Sequence, residues 1–151
     1  MNRSVHQMLK YGPPEHVFVE NEWYDGPRAG IANVNGQPHR FVSQWDEQGD
    51  EYLGTFLVWP VQSEELSLEQ EQWRIFVSWN DQYEAGAAST NTHPGNPGTN
   101  SRWDELAGQL TTLRASTPEH AQRARAEMLP LDRERRYDES GPDYQMSWSL
   151  L

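Results

Sequence analysis

The sequence predicts an α+β fold, an antiparallel four-stranded meander with about three helices packed on it, and three observations carry that expectation. Residues 15–60 alternate apolar and polar side chains, the period of two that sends successive residues to opposite faces of a sheet. Asn35-Gly36 stands between two apolar runs, and this pair readily supplies the positive φ that both central positions of a type I′ hairpin turn need. Beyond Pro60 the apolar period lengthens to that of amphipathic helices.

The first strand is read from Val17, Val19 and Trp23, which alternate with Phe18, Glu20, Glu22 and Tyr24. Asp25-Gly26-Pro27 breaks it, because glycine tolerates positive φ and proline has no N–H to give a ladder. Gly30 opens a second run, Ile31-Ala32-Asn33-Val34. Across the Asn-Gly turn His39–Trp45 reads as the third strand and Glu51–Trp59 as the fourth, joined by the polar turn 46–50. Tyr52, Phe56 and Val58 fall on one face of the fourth strand and Leu53, Leu57 and Trp59 on the other, which predicts a central strand covered on both sides. Pro60 ends it, and connections this short require antiparallel pairing.

Three helices are expected after the sheet. Ser67 with Gln70 forms a capping box for a helix running to about Ala85, with Trp73, Phe76, Asn80 and Tyr83 on one stripe and Gly86 past its end. Ala87–Asn100 is a polar loop, too long for a minimal connector and therefore a candidate for function. Ser101 with Asp104 caps a second helix carrying Trp103, Leu106, Leu110 and Leu113. Thr117-Pro118-Glu119 supplies an N-cap, a first-turn proline and a first-turn acid for a third helix through Met128, with Ala121 and Ala124 on its apolar face.

The chain thus divides into an N-terminal flap at 1–14, where Val5, Met8 and Leu9 suit a short helix, a single α+β domain at 15–129, and a C-terminal segment at 130–151. That last segment is expected to be a flexible charged linker, Asp132–Glu139, followed by a docking tail. Tyr144, Met146, Trp148 and Leu150 stand at every second position, which suits a strand added to a sheet edge or a peptide that docks on a partner.

Composition narrows the function classes. With 151 residues and a formal net charge of −11, the chain repels phosphate backbones and anionic membranes, which argues against direct nucleic-acid binding. It contains no cysteine, which fits a reducing cytoplasm and excludes disulfides and thiolate metal sites. Its longest apolar run is far short of the roughly 20 residues that span a bilayer. No GxSxG, phosphate loop or dinucleotide fingerprint is present, and no cofactor is implied.

Four constellations merit weighing. His6, His16, His39, His93 and His120 are scattered without metal-ligand spacing. Asp46, Glu47, Asp50 and Glu51 offer hard oxygens around one turn, with Asp46 and Asp50 the metal candidates, but a solvated hairpin tip explains them better. Asp25, Arg28 and His39 would make an acid–base set for a small hydrolase if the first and third strands brought them together, against the simpler reading that Asp25 and Arg28 close their own turn. Seven tryptophans and six tyrosines suit protein–protein contact, although Trp23, Trp45, Trp59, Trp73 and Trp103 all lie on apolar stripes and read as core.

Tyr24-Asp25-Gly26-Pro27-Arg28-Ala29-Gly30-Ile31-Ala32, Asn35-Gly36-Gln37-Pro38-His39, the acidic hairpin and Thr92-His93-Pro94 together resemble a pattern in small uncharacterised bacterial proteins. The likeness covers about residues 15–128 and carries no activity with it. It implies that the Tyr24–Ile31 corner, His39 and the His93 loop share one surface. The function expected from these readings is a non-catalytic, cytoplasmic protein-binding module of bacterial immunity or adaptor type, able to form oligomers. Its binding side chains would be Tyr24, Arg28, His93, Tyr144, Met146, Trp148 and Leu150. The alternatives are the small hydrolase and an acidic inhibitor that mimics nucleic acid.

Overall fold

The computed structural model describes residues 10–151, so Val5, Met8 and Leu9 of the expected flap lie outside the described residues. Strands β1 (Glu15–Trp23), β2 (Pro27–Val34), β3 (Gln37–Asp46) and β4 (Glu51–Pro60) pair in chain order. Helices α1 (Ser63–Glu84) and α2 (Ser101–Ala115) follow, then β5 (Gln122–Pro130), a small hairpin of β6 (Tyr137–Asp138) and β7 (Gly141–Pro142), and β8 (Tyr144–Leu150). The four-stranded sheet with three helices is thereby corrected. The strands close into a six-stranded antiparallel barrel in the order β1-β2-β3-β4-β5-β8, and two helices are present among the described residues.

The expected third helix is strand β5. Pro118 closes a turn instead of opening a helix, its carbonyl accepting from the Ala121 N–H at 3.1 Å. The Gln-Arg-Ala-Arg-Ala-Glu-Met run has good helix formers, but strand preference follows the partner available more than the residue type. Here β8 pairs with it from Ala124 opposite Leu150 to Pro130 opposite Tyr144, and β4 pairs along its other edge. β8 also meets β1, Glu15 opposite Met146, which closes the barrel.

The interior holds Val17, Ala32, Phe41, Phe56, Val58, Met146 and Trp148. The rings of Phe41, Phe56 and Trp148 meet pairwise at 5.7–5.9 Å, in tilted to edge-on arrangements that suit aromatic quadrupoles. Gly30 is required beside them, since a Cβ there would stand 2.3 Å from the Val19 carbonyl oxygen and 2.9 Å from Phe41. In the expected hairpin turn Asn35 and Gly36 both have positive φ, and the Glu15 carboxylate accepts from both their N–H groups at 2.9 and 2.6 Å.

One bulge sets where the helices sit. Val17 pairs with Ala32 but Val19 pairs with Ile31, so two residues of β1 advance against one of β2 and the inward face switches. Val17 therefore enters the barrel, whereas Val19 and Ile31 lie outside it and bury Trp73 and Val77 of α1. α1 starts four residues ahead of the expected Ser67 cap, and α2 is capped by Asn100, whose side chain accepts from the Trp103 N–H at 2.8 Å. Leu106 and Leu110 of α2 are fully buried.

A buried polar network crosses this interface. The Arg40 guanidinium, on β3, meets Glu65 at 2.7 Å and Glu69 at 2.9 Å, both on α1. Arg114 of α2 donates to Glu69 at 2.9 and 2.5 Å and to Gln72 at 2.7 Å, and the Asn21 amide of β1 donates to Glu69 at 3.2 Å. Burial pushes the Glu69 carboxyl up, but Arg114 and Arg40 more than offset it and hold the group below the usual carboxylate range.

Residues 131–143 fold across β1. Arg136 pairs with Glu20 at 2.7 Å, the Trp73 indole donates to the Asp138 carbonyl at 2.7 Å, and the Asp143 carboxylate accepts from the Arg133 N–H at 3.0 Å. Deleting residues 144–151 should therefore unzip both β5 and β1 and expose the Phe41 and Phe56 rings. The expected result is loss of the cooperative thermal transition in far-UV circular dichroism; a truncated chain that still melts cooperatively would show that β8 is dispensable.

Candidate functional site

The β1–β2 turn and the β3–β4 hairpin bring four of the chain's large side chains together at the surface. Asp25 and Gly26 turn the chain with φ of 53° and 128°, which leaves Tyr24 standing outward and 67% exposed. On the neighbouring hairpin Trp45 pairs across the strands with Tyr52. Their rings meet edge-on at 4.7 Å, and Tyr24 lies 6.3 Å from Tyr52. Trp45 is 45% exposed and Leu53 beside Tyr52 is exposed as well.

Arg28 fixes this array. Its Nε donates to the Tyr24 carbonyl at 2.7 Å and its Nη2 to the Asp25 carbonyl at 3.2 Å, while Nη1 reaches Ser43 Oγ at 3.4 Å. The guanidinium plane then sits 3.8 Å over the Tyr52 ring, a cation–π contact that holds the ring in place without hiding Trp45. Asp46, Glu47, Asp50 and Glu51 occupy the hairpin tip next to Trp45 and Tyr52 and give the array an acidic border.

Other sequence-derived candidates are dispersed. His39 sits four residues along β3 from Ser43, about 13 Å from the Arg28 end at the rise of a strand, and its Nδ1 lies 2.7 Å from the Gln37 carbonyl oxygen. No hydrogen bond joins His39 to Asp25 or Arg28, so the proposed acid–base set is not assembled. Asp46 accepts from the Gln48 N–H at 3.1 Å, as a turn residue does. Among the described residues no three His, Cys, Asp or Glu side chains are placed to hold a metal ion.

His93 lies in the loop before α2, where its Nδ1 accepts from the Gly95 N–H at 2.8 Å and its ring packs on Phe76, Trp79 and Trp103. No ring contact or hydrogen bond joins it to Tyr24 or His39. Tyr144, Met146 and Trp148 are buried in the barrel, with the Tyr144 hydroxyl donating to Glu20 at 2.9 Å. Burial beside Glu20 drives the Tyr144 phenol well above its ordinary pKa. Leu150 is exposed at the end of β8. Trp23 and Trp45, read from their apolar stripes as core, are instead exposed. Register irregularities at residues 20–23 and 43–45 interrupt the alternation that made them look internal.

Comparison with known proteins adds no constraint: no family model, curated protein or solved structure matches the chain. No helix among the described residues is long and apolar enough to cross a membrane.

Because the array borders solvent, removing its rings should leave the fold nearly untouched. Tyr24→Ala and Trp45→Ala should each change the unfolding free energy by less than about 1 kcal/mol, whereas Trp73→Ala, on the buried face of α1, should cost about 3–5 kcal/mol. Urea melts of the three variants decide this, and a loss at Trp45 as large as that at Trp73 would mean the array belongs to the core.

Proposed function

We propose that the chain is a non-catalytic protein-binding module of the adaptor or immunity kind, which engages a basic partner through Tyr24, Arg28, Trp45 and Tyr52. The observation that carries this reading is a mutually braced array in which Tyr24 and Trp45 are exposed and meet a half-buried Tyr52, with an arginine in contact. These residue types dominate the energetically important positions of protein interfaces. Rings held in place before binding lose little rotamer freedom on contact, so the array is pre-organised for a partner.

Charge selects the partner. The acidic border and the net charge of −11 favour a surface rich in lysine or arginine and speed encounter with it, at a rate that falls as salt rises. The separation of His39 from Asp25 and Arg28 weakens the support for the hydrolase alternative, since acid–base catalysis needs its groups within reach of one proton.

The test is affinity capture from native host lysate on immobilised wild-type chain, with a Tyr24→Ala/Trp45→Ala variant as control, followed by mass spectrometry and titration of the retained protein. A basic partner should appear on the wild type and bind the variant at least about tenfold more weakly, the loss expected when interface anchors are truncated. Equal capture by both would contradict the assignment of this surface, and retention of only acidic proteins would contradict the charge argument.

A further inference from the structure

A second site lies away from this array, in a cleft of about 330 Å³ between the outer face of β1, the two helices and Tyr137. One wall is a continuous series of rings. Trp103 meets His93 at 6.3 Å, His93 meets Phe76 at 6.0 Å, Phe76 meets Tyr137 at 4.9 Å, and Tyr137 meets Trp73 at 5.7 Å. Trp23 lines the side formed by β1. The floor is polar and already satisfied, since Glu69 binds Arg40 and Arg114 and Gln72 accepts from Arg114.

The charge of the lining does not cancel. Glu20 is matched by Arg136 and by the Tyr144 hydroxyl, and Glu69 is matched by two arginines. Glu22, the remaining acid of the lining, makes no hydrogen bond or ion pair among the described residues. Trp23 is the next residue on the strand, and its ring already carries a cation: the Arg136 guanidinium lies 4.6 Å from its centroid and equally far from that of Tyr137. With that contact made, Trp23 is still 43% exposed. The cleft thus offers aromatic surface of the kind this chain uses to receive a cation, next to a carboxylate that has none.

We propose that this cleft binds a small organic cation of the quaternary-ammonium class. Such an ion is attracted by the negative faces of aromatic rings, needs no hydrogen-bond acceptors, and gains from one nearby carboxylate. Anions are disfavoured, because Glu22 repels them, Arg114 is engaged with Glu69 and Gln72, and Arg136 does not line the cleft. A neutral apolar guest would fill the space but would desolvate Glu22 without a counter-charge. A bare divalent ion lacks its ligands, since no three metal-binding side chains converge among the described residues.

Calorimetric titration of the full chain with choline tests the proposal, alongside 3,3-dimethyl-1-butanol, the same shape without the charge. Choline should bind saturably and the neutral alcohol about tenfold more weakly. Trp23→Ala and Glu22→Gln should each weaken choline roughly three- to thirtyfold. Glu22→Gln should leave the melting temperature unchanged, whereas Trp23→Ala also removes the contacts with Arg136 and Tyr144 and should lower it modestly. Phosphatidylcholine vesicles carry the same headgroup and separate a free ligand from a lipid surface. The proposal is overturned by no saturable choline signal, by equal affinity for the alcohol, by unchanged choline affinity in both variants, or by binding to vesicles alone.

Discussion

The Glu69 carboxylate, 1% exposed and held by Arg40, Arg114 and Asn21, is the interaction on which the arrangement of this protein depends. Arg40 is itself 2% exposed, and placing two such charges away from water costs several kcal/mol per ion unless each is paired and its remaining hydrogen-bonding positions are filled. Glu65 and the Asn21 side-chain oxygen take the rest of Arg40, and Gln72 takes part of Arg114. Four elements, β1, β3, α1 and α2, must therefore come together in one geometry for the network to be satisfied. Apolar contact of Trp73 and Val77 with Val19 and Ile31 supplies the adhesion, and the network supplies the orientation.

Both candidate surfaces follow from that geometry. The β1 bulge turns Val19 out to receive α1, so the strand carries on past the helix as Asn21, Glu22 and Trp23, and the space left between them is the aromatic cleft. The adjoining β1–β2 turn places Tyr24 against Tyr52 of the β3–β4 hairpin. Tryptophan is divided accordingly: Trp59, Trp73 and Trp148 are buried, whereas Trp23 and Trp45 are exposed beside charged neighbours.

Local chemistry made the first half of the fold legible. Asn35-Gly36 and the period-two runs suffice for β1 to β4, and Gly86 and the leucine spacing suffice for most of α1 and α2. β5 was illegible because its residues favour a helix in isolation, and its strand state depends on β8, some twenty residues later, and on β4. Barrel closure is nonlocal in the same way. Of the candidate surface, Tyr24 and Arg28 were readable from their turn, but the pairing of Trp45 with Tyr52 depends on a register irregularity no alternation can show. The polar network did leave a trace: an arginine at position 40 beside an apolar run, and Glu65, Glu69 and Gln72 at helical spacing.

A double-mutant cycle on Arg40 and Glu69 tests the dependence most directly, with Arg40→Leu, Glu69→Leu and the double variant compared with wild type in denaturant melts. Each single change should cost about 3–5 kcal/mol by stranding a buried charge, and the double should cost no more than either single, a coupling of at least about 3 kcal/mol. Single losses that add to within about 0.5 kcal/mol would show two independent side chains and would contradict the view that this network orients the helices on the barrel.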